Sequence, residues 1–234
     1  MKIIRNQIKI KRNKTISQGV LYLSMAILLL GFLWSITDPD SVQITLSYGL
    51  IAIAYILVQV SLYMANKWGR SPRPDEIVEN SLKGLNDQFT LYNYTTPVPH
   101  LLVGPAGIWI LKPYYHSGEI QYNPDKKRYE QHGGPNFLSK WFAQESLPNI
   151  LEESKLLNKK LKNYFLGLNL GEPQYLSVAN IFYSEKADVM AKNAPEVTIR
   201  VDKLKDIIRS KAKTLNLKDE FLDPIKEKLP RENQ

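Results

Sequence analysis

Residues 101 to 120 read LLVGPAGIWILKPYYHSGEI, and the parsing of this stretch decides the fold of the larger part of the chain. LLVG and GIWILK are short apolar runs rich in β-branched and aromatic residues, and Gly104-Pro105-Ala106-Gly107 between them has the composition of a tight turn. The stretch predicts two neighbouring strands.

The flanking sequence extends the pattern in both directions. Upstream, DEIVENSLKGLND sets Ile77, Val78, Leu82 and Leu85 at helical spacing with acids in the first turn, where they complement the helix dipole, and FTLYNYT follows as a strand. Downstream, GEIQYN and RYEQHG flank a PDKK turn, so that four or five strands fall within about fifty residues as a meander. A long helix is predicted over SLPNILEESKLLNKKLKNYFLGL, with Ile150, Leu157, Leu161 and Tyr164 on one face, then a strand buried on both faces in QYLSVANIFYS. EVTIRVDKLKDIIRS reads as a strand entering a helix, and the tail as one more short helix. The order predicts an α/β domain, a mixed sheet flanked by helices.

The first third of the chain has a different character. No charged residue occurs from Thr15 to Thr37 or from Ser41 to Asn66, and each run exceeds the roughly 20 residues that cross a hydrocarbon core of about 30 Å. Two transmembrane helices, about 17–37 and 43–65, are expected, joined by TDPDSVQ, where Pro39, Asp38 and Asp40 favour a turn. Trp34 and Tyr63 fall near the ends of the runs, as amphipathic rings do at a headgroup zone. The expected organisation is a basic segment over 1–16, a helical hairpin over 17–66, a basic linker over 67–74 and a cytoplasmic domain over 75–234.

The formal net charge of +8 is unevenly distributed. Residues 1–74 hold nine basic and two acidic residues, a net +7, and residues 75–234 hold 22 basic and 21 acidic, a net +1. Both flanks of the hairpin are basic and its turn has no Lys or Arg, so the positive-inside rule puts both termini in the cytoplasm of a multi-pass inner-membrane protein. Juxtamembrane charge of this kind attracts anionic lipid at about 1 kcal/mol per basic residue, which makes the bilayer the first expected partner. The nearly neutral domain lacks the basic footprint of a dedicated nucleic-acid binder. The absence of cysteine excludes disulfides, thiol nucleophiles and cysteine metal sites.

No Walker loop, Gly-x-Ser-x-Gly elbow, His-Glu-x-x-His or Gly-x-Gly-x-x-Gly word occurs. The helix carrying Val78, Leu82 and Leu85, the word His100-Leu101-Leu102-Val103-Gly104-Pro105-Ala106-Gly107, and Ser117-Gly118 at the following strand together resemble the nuclease-related domain, NERD. This family is a branch of the restriction-endonuclease-like PD-(D/E)XK superfamily, and the resemblance covers about residues 70–210. It implies a restriction-endonuclease-like fold and, in the family, a Mg²⁺-dependent nuclease site of two acids and a Glu-x-Lys pair.

Those site positions fall on Asp75, Pro99, Lys112 and Tyr114, and Asp75 alone keeps its chemical kind. A site of this class holds a hard cation through carboxylate oxygens. Proline offers only a backbone carbonyl there, and Lys112 puts a positive charge where the cation would sit. The residues therefore predict no catalytic set, no metal and no cofactor, with Mg²⁺ entering only for a nuclease whose ligands have moved. Glu119 and Glu130, with His100, His116 and His132, are the residues from which a relocated site could draw. Lys112 with Lys126, Lys127 and Arg128 is a candidate anion or nucleic-acid contact in the vestigial cleft. The expected function is a membrane-anchored binding or scaffold module with a protein partner, ahead of nucleic acid; the alternative is a membrane-tethered metal-dependent nuclease with a rearranged site.

Overall fold

The structure, a computed structural model, describes residues 1–37, 41–134, 136 and 146–231. It divides into two compact units, one made of Met1–Asn6 together with Pro74–Gln234 and the other of Gln7–Arg73. The second unit is therefore an insertion, in the chain, between the first strand of a domain and the rest of it.

The inserted unit is a helical hairpin of α1 (Gln7–Thr37) and α2 (Ser41–Met64), the latter continuing through a π-helical turn, Ala65–Gly69. Both helices are long and apolar enough to cross a membrane. Helix α1 begins well before the apolar run and carries the basic residues Lys9 to Lys14 in its first turns. Asp38, Pro39 and Asp40 of the expected turn lie outside the described residues.

Small residues hold the hairpin together. Ser17, Ser24 and Gly31 recur every seven residues on α1, and Ser47, Ala54 and Ser61 do so on α2; all six are buried. A seven-residue step returns to nearly the same helix face, so each set forms one seam. Ser17 Oγ donates to the Ser61 carbonyl at 3.4 Å and Ser61 Oγ to the Ser17 carbonyl at 3.2 Å. At the other end a Cβ on Gly31 would meet Leu50 Cβ at 3.2 Å and the Ser47 carbonyl at 3.6 Å. Large apolar side chains face outward instead, among them Leu29, Leu30, Phe32, Leu33, Ile53 and Ile56. This inside-out distribution, with small residues allowing close backbone approach, is the pattern of helices packed in lipid.

The domain is built on a six-stranded mixed sheet. Strands β1 (Lys2–Arg5), β2 (Thr90–Asn93), β3 (His100–Gly104), β4 (Gly107–Tyr114), β7 (Leu176–Phe182) and β9 (Val197–Arg200) lie in the order β1-β2-β3-β4-β7-β9. The β2-β3 and β3-β4 pairs are antiparallel; β1-β2, β4-β7 and β7-β9 are parallel. The predicted turn is present, with Gly104 opposite Gly107 and a two-residue loop between them. Gly107 has φ +95° and a Cβ there would strike the Tyr175 carbonyl at 2.6 Å, so no other residue fits without displacing β7. Trp109 Nε1 donates to the Ala106 carbonyl at 2.8 Å, which satisfies the indole of a buried ring and pins the turn.

Alternation along the strands assigns the two faces. Tyr92, Leu101, Val103, Ile108, Ile110 and Val178 pack under α4 (Ile150–Gly167) and α6 (Asp219–Lys228). Leu91, Leu102, Trp109, Leu111, Ala179 and Ile181 pack under α3 (Pro74–Leu82) and α5 (Leu204–Leu215). A second sheet, β6 (Arg128–His132), β5 (Gly118–Asn123) and β8 (Ala187–Met190), packs through Ile120, Tyr129 and Ala187 on Tyr114, Phe182 and the start of α4. The meander thus ends at β4, and β5 and β6 leave it for a sheet of their own. Pro113 does not interrupt β4, because the antiparallel ladder with β3 has its last pair at Ile110 and the parallel one with β7 runs past it. Strands β1 and β8 have no counterpart in the sequence reading.

Candidate functional site

The C-terminal ends of the parallel strands, where open α/β sheets bind ligands, carry a polar row. Lys112 on β4, Asn180 on β7 and Thr198 on β9 are register partners across the sheet. Lys112 follows Ile108 and Ile110 at two-residue steps, so it faces α4, and the next row on that face holds Tyr114 and Phe182, stacked at 5.2 Å.

Helix α4 covers the row with polar groups. Asn149 caps the helix by accepting from the Glu152 amide at 3.3 Å, which sets the rotation that turns Ser154, Leu157, Leu161 and Phe165 inward. Glu153 Oε2 lies 2.9 Å from Lys112 Nζ and accepts the Tyr114 hydroxyl proton at 2.8 Å. Lys112 Nζ also stands 5.4 Å from the centre of the Tyr114 ring. Deeper in, Asn180 Nδ2 donates to Glu196 at 3.2 Å and to Thr198 at 3.4 Å, Ser154 Oγ donates to Asn180 Oδ1 at 3.5 Å, and the Tyr129 hydroxyl meets Thr198 at 2.6 Å.

Burial governs the protonation of this row. It pushes the Tyr114 phenol far above its ordinary range, and the negative charge of Glu153 adds to the effect. Burial likewise raises the Glu196 carboxyl in spite of the Ser154 and Asn180 hydrogen bonds and the charge of Lys155. It lowers His116, whose Nε2 donates to the Ser146 carbonyl at 3.0 Å and whose Nδ1 is buried with no hydrogen-bond partner among the described residues. Chemically the row is self-contained: the Lys112 amine and the Tyr114 phenol both terminate on the Glu153 carboxylate. An anion approaching Lys112 has to displace Glu153.

Asp75 belongs to the other face. It is buried in the first turn of α3, and its charge helps burial hold the Glu79 carboxyl above its ordinary value, against the opposing pull of Arg5. Arg5 of β1 makes a two-point contact with Glu79, Asn93 Nδ2 donates to Glu79 Oε1 at 2.7 Å, and the side-chain oxygen Asn93 Oδ1 lies 2.7 Å from His100 Nδ1. Accepting there, it selects the Nδ1-protonated tautomer of His100, on which Tyr94 packs edge-on at 4.9 Å. The positions assigned by resemblance are therefore split, Asp75 with α3 and Lys112 and Tyr114 with α4.

The remaining candidates are dispersed. Pro99 is half-buried and gives its carbonyl to the Tyr94 amide at 2.8 Å. Lys126 and Arg128, at the tip of the β5-β6 hairpin, both pair with Glu130 at 3.2 and 3.1 Å, and Lys127 occupies the turn with φ +47°. His132 Nε2 stands 3.8 Å from the same carboxylate, and Glu119 bonds Gln121 on its own strand. Among the described residues no three His, Asp or Glu side chains gather so as to hold a metal ion, and Asp75, Glu119 and His116 do not converge. Sequence reading missed Arg5 and Glu153. Neither had a local signal: KIIR is polar only at its two ends and does not alternate, and Glu153 is one of several charges on its helix. No protein-family model, curated protein or solved structure matches the chain.

Proposed function

We propose that the protein is a membrane-anchored binding module: a hairpin of two transmembrane helices that holds a catalytically degenerate NERD-like domain at the cytoplasmic face of the inner membrane. The observation that carries the reading is the closed set Lys112–Glu153–Tyr114, in which the groups at the would-be catalytic strand neutralise and hydrogen-bond one another. The family likeness rests on the order of elements and on the words His100 to Gly107 and Ser117-Gly118, with departures at Pro99, Lys112 and Tyr114.

The membrane part of the reading is supported by the inverted hairpin, with small residues inside and large apolar ones outside. Its sidedness is supported by the basic flanks and by β1, because a domain with strands from both ends of an inserted hairpin needs those ends on one side of the bilayer. Removal of the first helix as a signal peptide would also remove β1.

The test is incubation of the full chain, in detergent, with plasmid, single-stranded DNA and RNA under Mg²⁺ and Mn²⁺. The expected result is intact substrate in every lane. Cleavage that disappears in Asp75→Asn or Lys112→Ala, with the helical signal retained, overturns the reading in favour of a rearranged nuclease.

A further inference from the structure

Outside the polar row, a concave feature lies on the outer side of α4. It is a groove of about 580 Å³ between that helix and the segment Glu172 to Leu176 that leads into β7, within the range of about 300–1,000 Å³ typical of ligand sites. Lys155, Lys159 and Lys162 line it from the helix, at positions i, i+4 and i+7, and Leu166, Pro173 and Leu176 supply apolar surface. Lys162 pairs with Glu172 at 3.0 Å, whereas Lys155, whose charge reaches the Glu196 carboxyl, and Lys159 are exposed and make no close ion pair among the described residues. Like charges at these spacings weaken a helix, so the stability of α4 does not account for them.

We infer that this groove binds an acidic peptide segment of a partner protein, one in which carboxylates alternate with aliphatic residues. The inference rests on the binding-module reading above and names its partner class. The spacing fits: lysines four apart on a helix are separated by about 6 Å along the axis, and alternate residues of an extended peptide by about 6.6 Å. Alternate acids then face Lys155 and Lys159 while the side chains between them turn to the apolar wall. Asn158 also lines the groove, and a carboxamide can both donate to and accept from a peptide backbone. No aromatic or arginine side chain lines the groove to stack a base, and this favours peptide over nucleic acid.

The probe is a fluorescein-labelled Glu-Leu-Glu-Leu-Glu peptide, titrated by anisotropy against the full chain in uncharged detergent micelles. Saturable binding is expected, weakening as salt is raised and falling at least about tenfold in K155E/K159E, as double charge reversal at a charged interface does. K211E/K213E, an equal charge change on exposed positions of α5, leaves it unchanged. Equal affinity in K155E/K159E, equal loss in K211E/K213E, no saturable binding, or equal affinity of a Gln-Leu-Gln-Leu-Gln peptide each overturns the inference. So does poly(dT) binding more tightly with the same Lys155 and Lys159 dependence, which makes nucleic acid the occupant. None of these outcomes bears on the nuclease assay above, so the groove can fail while the module reading stands.

Discussion

Arg5 and Glu79 are 74 positions apart and lie on either side of two apolar helices in the chain, yet their side chains are joined at two points. Glu79 is nearly buried and Arg5 about one-third exposed, so the pair ties β1 to α3 from inside the domain.

Replacing Arg5 leaves a buried carboxylate without its cation. Arg5→Ala is expected to destabilise the domain by about 2 kcal/mol near neutral pH, the scale of a lost hydrogen bond to a charged group, read from thermal unfolding of the full chain in detergent. The sign with pH follows from Glu79, whose folded pKa burial already raises. A raised acid is protonated more readily in the folded state, so its contribution is most favourable at low pH and is lost as pH rises through the shifted value. The Arg5→Ala penalty therefore shrinks on acidification; a penalty constant from neutral pH into the carboxylate range would contradict the burial argument.

Tyr114→Phe removes the hydroxyl that Glu153 accepts. A loss of about 0.5–1.5 kcal/mol is expected, with the fold and the helix signal intact. Difference absorbance across an alkaline titration gives an independent check, since the Tyr114 phenolate should not form before the domain unfolds.

His116 gives the domain an acid sensitivity of its own. Its folded pKa is lowered by burial, and a proton on Nδ1 would have no acceptor among the described residues. As pH falls through the ordinary value of 6.5, the unfolded chain takes up a proton that the folded state refuses, and stability drops. Glu196, with a raised pKa, acts in the opposite sense, so the measurement is a difference: His116→Asn should flatten the stability profile between neutral pH and pH about 5 relative to the parent. Parallel profiles would refute the assignment.

Because the chain has no cysteine, the hairpin seam can be read by cross-linking. Ser17→Cys with Ser61→Cys should form a disulfide on mild oxidation in membranes, since each hydroxyl already reaches the other residue's carbonyl. Adding Ala54→Trp, which forces a large ring into the seam, should abolish the cross-link, whereas Leu30→Ala on the outer face should not.

What the sequence made legible was local. The apolar runs LLVG and GIWILK, the glycines at 104 and 107 and the spacing of α4 are all set by neighbours a few residues away, and the structure has them as expected. What it hid depends on distant partners. KIIR is indistinguishable from other juxtamembrane charge until Asn93 and Glu79 stand beside it. The departure of β5 and β6 from the main sheet depends on ADVM, four residues with only Ala187 buried. Lys112 was legible as a break in a pattern, but its neutralisation by Glu153 required α4 to lie over β4.

The central claim, a membrane hairpin inserted into a domain built from both of its flanks, is tested most directly by labelling single cysteines with a membrane-impermeant maleimide in sealed vesicles of known orientation. Lys2→Cys and Lys211→Cys should be modified from the cytoplasmic side and Asp40→Cys from the opposite side. Labelling of Lys2→Cys and Lys211→Cys from different sides, or of all three from the same side, would contradict it.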